Sequence, residues 1–321
     1  MHPGTSYITV EDCYVHHTWH SPIHMQGVLE PVVRNTTVHD GSSFAPYSRS
    51  GEEQDWPGNV QFTDVTDGLA DGLTVYNNWG EGVLIGHSNG VILQNSIIYD
   101  NFALNVYTSH ASDFIIRNNL IYGTGTEPFL RDGKPCSNLI IGDEYKEGQP
   151  NSTGQIVINN LIFGGSRNIG FWDFTWQGTA ESGLIDAVIA NNTIIDAVDY
   201  GVEINQGEHS NVKIYNNVIA NPGTDAPLAA VSHDSNLNLD YNLWNLTPPD
   251  NASGQHDVVS ETIHFDQSGS VEPGELTAEY FDISASFAGI DKGIKLSEVL
   301  KDYHGNDRDN SPDIGAIEFV K

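Results

Sequence analysis

The sequence predicts an all-β fold, a parallel β-helix in which short strands wind into stacked rungs. Three observations carry this expectation. An asparagine, usually the first of an Asn-Asn pair, recurs between short apolar, often β-branched runs at Asn95, Asn118, Asn159, Asn191, Asn216 and Asn242. The intervals between markers never fall below 23 residues, as from Asp12 to Asn35 and from Asn95 to Asn118, and the longer ones are 41, 32, 25 and 26. One rung plus loops of varying length gives such a pattern. No helical apolar period of any length appears, while runs such as Val91-Ile92-Leu93 and Ile97-Ile98-Tyr99 have the length and composition of strands.

The elements follow from the N-terminus. Fainter markers at Val10-Glu11-Asp12-Cys13-Tyr14 and Val33-Arg34-Asn35-Thr36-Thr37 place the first rungs. The 60 residues from 35 to 95 hold at least one more rung, through Val60-Gln61-Phe62-Thr63-Asp64-Val65, after a loop at 41–58 rich in Gly, Ser and charge. Asparagine tolerates left-handed backbone, so one per rung between two strands reads as a sharp corner, with amides hydrogen-bonding along the stack. A second set of strands lies between corners: Val83–His87, Leu104–Thr108, Leu139–Asp143, Ile169–Asp173 and Val202–Gln206. A solenoid of this kind buries its apolar face only against neighbouring rungs.

At this point the chain resembles the superfamily of right-handed parallel β-helix proteins that includes pectate-lyase-like and other polysaccharide-processing enzymes. The resemblance spans roughly residues 5–245. The stretches Ala288–Gly293, Asp302–Arg308 and Ser311–Glu318 are similar to the closing segment of many secreted bacterial β-helix proteins. It implies a β-helix domain over 1–245, with no obvious N-terminal cap, and a C-terminal capping segment over 246–321. It also implies secretion or a cell-surface location, and a polysaccharide substrate. The reaction stays open, because one solenoid hosts many activities.

A formal charge of −30, from 43 acidic and 13 basic residues, argues against nucleic-acid and anionic-membrane partners and suits solubility in salt. No apolar run approaches the ~18 residues that span a bilayer. Cys13 and Cys136 form no metal-binding spacing, and the histidines at 16, 17, 20 and 24 match no zinc motif. The oligomeric state is not readable.

Strand side chains alternate faces, so the five inter-corner segments stack into columns. One outward column holds Leu84, Asn105, Ile140, Gly170 and Glu203; the next holds Gly86, Tyr107, Gly142, Trp172 and Asn205. A third, at the turn, holds His87, Thr108, Asp143, Asp173 and Gln206, and an earlier rung adds His24 and Gln26. Asp143 and Asp173 become neighbours roughly 4.8 Å apart. Two such carboxylates share a proton, as glycoside hydrolysis requires, or a Ca²⁺ ion, which in pectate-lyase-like enzymes bridges protein and substrate uronate. The plain alternative is a pair of solvated turn residues. Trp172, Trp176, Asn105, Asn205, His24 and Gln26 are the expected sugar-binding residues, aromatics offering flat faces and amides bonding hydroxyls.

The longest interval, from Asn118 to Asn159, carries Arg131 and Lys134 beside this face. A lyase acting on a uronate needs a cation for the carboxylate, a base for the C5 proton and an acid for the leaving oxygen. Arg131 or Lys134 would serve as cation or base, Tyr107 as acid or base, and His87 or His110 as an alternative base. The expected function is therefore an extracellular polysaccharide lyase of the β-elimination type. The alternatives are a hydrolase using Asp143, Asp173 and Glu203, or a non-catalytic carbohydrate-binding solenoid.

Overall fold

The computed structural model describes residues 5–45, 56–143, 151–173, 182–265 and 269–320. Within these, three parallel sheets wind into a right-handed β-helix. Sheet 1 has nine strands, from Thr9–Glu11 to Leu237–Asp240, and leads into the asparagine corner. Sheet 2 has ten, from Tyr14–His16 to Val258–Val259, and leaves that corner. Sheet 3 has eight, from Ile23–Gln26 to Ala229–Val231. The turn expected between residues 35 and 95 is present: Gly58–Thr63 in sheet 3, Leu69–Asp71 in sheet 1 and Thr74–Tyr76 in sheet 2. No helix among the described residues is long and apolar enough to cross a membrane.

The corner residue and the residue after it, asparagine in every rung from Asn118 to Asn217 and serine after Asn95, do different work. The first takes left-handed backbone, with φ of 52° at Asn95, 54° at Asn118, 53° at Asn159 and Asn191, and 57° at Asn216. The second turns inward and builds the amide ladder. Nδ2 of Asn119 donates to Oδ1 of Asn160 at 3.0 Å, and the chain continues through Asn192 and Asn217 to Asn242. In the last rung the left-handed residue is Tyr241, so Asn242 belongs to the ladder, one residue past the corner. Each ladder amide also donates to a backbone carbonyl of the preceding rung, which satisfies groups that the corner would otherwise bury unpaired.

The core fills the solenoid interior with Val, Ile, Leu and Phe from all three sheets. The chain after residue 245 first continues the solenoid. Solenoid pairing runs on to Val258–Val259, and Ala252 closes the core near Trp244. The chain then turns back along the outside of sheet 2, where Leu276, Phe281, Phe287 and Ile314 pack on Tyr99, Tyr122, Leu161 and Val218. It docks on the corner asparagines: Asn159 Nδ2 donates to Lys301 O at 2.7 Å and Asn216 Nδ2 to Ile294 O at 2.8 Å. The C-terminal segment thus runs as a strap along the flank of the solenoid.

Candidate functional site

Sheet 3 carries the expected site residues, and its register corrects their columns. Val83 pairs with Val106 and Leu84 with Tyr107, so the segment at 104–108 stands two residues out of the expected alignment. Tyr107 joins the column of Leu84, Ile140, Gly170 and Glu203; Thr108 faces the core beside Ile85 and Ile141. A slip of two keeps every apolar residue inside, so the apolar pattern cannot detect it.

Alternation also breaks where these strands begin. Leu104 packs outside with Tyr107 and Ile140, whereas Asn105 and Val106 both turn inward. Asn105, expected outside, is fully buried, and its amide donates to Asn138 Oδ1 at 2.7 Å within a second ladder that continues to Asn168. It is not placed to touch a ligand. The same break puts Arg167 outside, because Asn168 occupies the inward place.

The residues collected at the start of sheet 3 form a cleft of ≈ 340 Å³ lined by Arg131, Lys134, Arg167, Trp172 and Asp199 over a floor that includes Cys136, Ser137 and Ser166. Arg131 and Lys134 stand at the base of a two-residue hairpin turn closed by Arg131 N to Lys134 O at 2.8 Å. Asp132 and Gly133 both have positive φ, 54° and 76°, as a type I′ turn requires. Arg167 Nε donates to Glu203 Oε2 at 2.5 Å, Trp172 Nε1 donates to the same oxygen at 3.2 Å, and the Arg167 guanidinium lies 5.7 Å from the Trp172 ring. Lys134 Nζ meets Asp199 Oδ1 at 2.7 Å. The Lys134 side chain is 48% exposed, so this pair is weak enough to yield to a ligand. Burial pushes the Cys136 thiol up, which leaves it inert at the cleft floor.

Arg131, Lys134 and Trp172 are thus brought together, with Glu203 behind them. Arg167 and Asp199 escaped the sequence reading: strict alternation turns Arg167 inward, and Asp199 sits in a corner without a motif. The Asp132-Gly133 turn was the available signal for the hairpin.

The other expected residues lie elsewhere. Asp143 and Asp173 end their sheet-3 strands and His87 and His110 follow theirs, at the opposite strand ends from Arg167; Trp172, next to Asp173, lines the cleft with its side chain. His87 and His110 stack at 5.0 Å. Asp143 and Asp173 are register neighbours as expected, but they are roofed over, at 1% and 6% exposure. Both Asp143 carboxylate oxygens accept from Ser152, one from its backbone N–H at 2.8 Å and one from its hydroxyl. Asp143 therefore anchors the segment at 151–153. Among the described residues no group of three or more His, Cys, Asp or Glu is arranged to hold a metal. Tyr107 is buried, its hydroxyl beneath Gly142, where an added Cβ would meet it at 2.6 Å. His24 and Gln26 are exposed and Asn205 half-buried, all facing outward from sheet 3. Trp176 falls outside the described residues.

Fold and site together define a solenoid with a charged cleft on one corner. The family model for the right-handed β-helix region matches residues 3–125 and 58–243, and the chain belongs to that family. The structure of XylC in complex with xylose is similar over all of this chain, with TM-score 0.54 and 11% identity. This chain spans 66% of that one, less than two-thirds of its length. Pectate lyase Pel9A gives TM-score 0.42 at 12% identity, covering 92% of this chain and 88% of its own. The A-module of the Azotobacter vinelandii mannuronan C-5 epimerase AlgE6 gives 0.39 at 14%, covering 77% and 59%. At these identities the likeness is one of fold. No curated protein matches in sequence.

Proposed function

We propose that this protein is an extracellular polysaccharide-active β-helix enzyme, a lyase that cleaves a uronic-acid-containing glycan by β-elimination. One observation carries the reading: in a chain with 13 basic residues and a net charge of −30, Arg131, Lys134 and Arg167 line a single cleft beside Trp172. Two of these cations are held by the carboxylates of Asp199 and Glu203, and Arg131 has no such partner among the described residues. Together they offer charge-assisted donors to an anionic ligand, while the indole offers a face for a sugar ring. Arg167, with Arg131, neutralises the uronate carboxylate and so stabilises negative charge that develops at C5. The Asp199 carboxylate takes the C5 proton, C4 and C5 become doubly bonded, and the Lys134 ammonium gives its proton to the departing O4. The proton then returns from Asp199 to Lys134 across their 2.7 Å contact. No step is routed through Ca²⁺.

Incubation with polygalacturonate, alginate, xylan and neutral glucans tests this. Ultraviolet absorbance from an unsaturated uronide is the expected product signal, and Arg167→Gln should lower kcat/KM on the order of 10²–10³-fold. The carboxylates of Asp199 and Glu203 near one cleft favour hydrolysis as the second reading; new reducing ends without absorbance would establish it. Binding without product would make the protein a carbohydrate-binding solenoid and remove both.

A further inference from the structure

Between the asparagine corner and the C-terminal strap lies a pocket of ≈ 440 Å³, within the size range of small-molecule sites. Gln94, Arg117 and Asn118 form its solenoid wall, and Leu300 and Lys301 its strap wall. Arg117 ends a sheet-1 strand, Asn118 is the left-handed corner residue after it, and pairing sets Gln94 beside Arg117 on the preceding rung. Gln94 Oε1 accepts from Arg117 Nε at 2.9 Å and from Nη2 at 2.7 Å. Among the described residues nothing accepts from Nη1, and no carboxylate pairs with this guanidinium. Arg34, Arg167 and Arg308 each hold a carboxylate instead. In a chain with 43 acidic and 13 basic residues, Arg117 is thus oriented by an amide that leaves its charge uncompensated. Two carboxylates line the same pocket, but both are engaged. Asp302, fully buried, accepts from Asn306 N–H at 2.7 Å, from Asn306 Nδ2 at 3.0 Å and from Glu318 N–H at 2.9 Å. Glu298 accepts from Ser297 Oγ at 2.8 Å and faces Lys213 Nζ at 3.5 Å. Lys301 Nζ donates to Asp307 at 2.8 Å, and with that carboxylate 87% exposed the pair is weak enough to yield to a ligand.

We propose that this pocket is a second binding site, separate from the cleft, for a small hydroxylated carboxylate of the sugar-acid class. The ligand carboxylate meets the Arg117 guanidinium and the Lys301 ammonium, as charge-assisted hydrogen bonding favours. The amides of Gln94 and Asn118 donate to its hydroxyls, and Leu300, 63% exposed, offers an apolar contact at the rim. One wall belongs to the solenoid and the other to the strap, so occupancy ties the strap to the corner and stabilises the folded chain as ligand concentration passes its Kd. No residue of this pocket lines the cleft, so the inference stands or falls apart from the lyase reading.

Nitrogen NMR of the arginine Nε–H groups in the whole protein reads the site directly, since the chain has six arginines and the spectrum of Arg117→Gln identifies the signal of Arg117. Titration with galacturonate at constant ionic strength should shift that signal to saturation in the millimolar range, and galactose, its uncharged counterpart, should leave it in place. Lys301→Gln should raise the Kd by roughly 2- to 5-fold, the range of an exposed charge pair. In Arg167→Gln, where the cleft is weakened, galacturonate should still raise the melting temperature, and the double variant Arg117→Gln/Arg167→Gln should lose that rise. The inference is overturned by the lack of a saturable shift at Arg117, by an equal shift with galactose or chloride, or by a rise that persists in the double variant. Shifts confined to Arg131 and Arg167 would overturn it while leaving the cleft reading in place.

Discussion

At the residue scale, a ladder asparagine and a corner asparagine predict different responses to mutation. Asn192 lies in the buried ladder: it accepts from Asn160 and donates to Asn217 and to the Val157 carbonyl. Asn192→Ala strands these partners without water, and the expected loss is about 3 kcal/mol, read as a fall in the urea midpoint. Asn95 holds only the corner, with φ of 52° and an exposed amide bonded to Asp71 at 2.7 Å. Asn95→Gly should change stability by less than about 0.5 kcal/mol, whereas Asn95→Ala, forced into left-handed backbone, should cost about 1–2 kcal/mol. Equal losses at both positions would remove the division of labour. The sequence showed that a corner recurs, because left-handed tolerance is a local property. It did not show which asparagine faces inward, which depends on how one rung sits on the next.

At the element scale, the strand order around the solenoid was legible and the strand starts were not. Apolar period two identified sheet 3 and its inward residues, but the run Leu104-Asn105-Val106 looks like plain alternation. Only the rung-to-rung amide bonds reveal that Asn105 and Val106 both face inward, and that break puts Arg167 over the cleft. The elements that close the C-terminal end are tied down by charge. Asp240, at the end of the last sheet-1 strand, accepts from His256 Nδ1 at 2.8 Å, from His256 N–H at 2.7 Å and from Tyr241 N–H at 2.9 Å. Burial pulls its carboxyl upward, but these hydrogen bonds outweigh burial and hold it below its ordinary value of 3.8. A carboxyl whose folded pKa is depressed contributes stability above its unfolded pKa and loses it as pH falls through the folded one. Asp240→Asn should therefore melt below wild type at pH 6, and the gap should close below about pH 4. A gap that stays constant with pH would mean that the carboxylate charge does not hold this turn.

At the scale of the whole molecule, the charge of −30 opposes the three cations gathered in the cleft, two of them paired with carboxylates, and salt decides which of these the uronan of the proposed reaction meets first. At about 0.01 M ionic strength the Debye length is ~30 Å, so an approaching uronan sees the summed negative field of the solenoid. At about 0.15 M it shrinks to ~8 Å, shorter than the reach from most of the surface acids into the cleft but longer than the contacts made by Arg131, Lys134 and Arg167. Long-range repulsion is thereby screened first, and the short contacts in the cleft, partly shielded from solvent, are screened least. Cleavage of a uronan should accordingly speed up, in kcat/KM, as salt rises from about 0.01 to 0.15 M, and fall only at still higher salt. Arg167→Gln should lower the whole curve without moving its rising limb, because that limb belongs to the molecule and not to the cleft. A rate that falls steadily from the lowest salt upward would show that the three cations already dominate the field at long range. The acidic surface would then have no part in how substrate reaches the site.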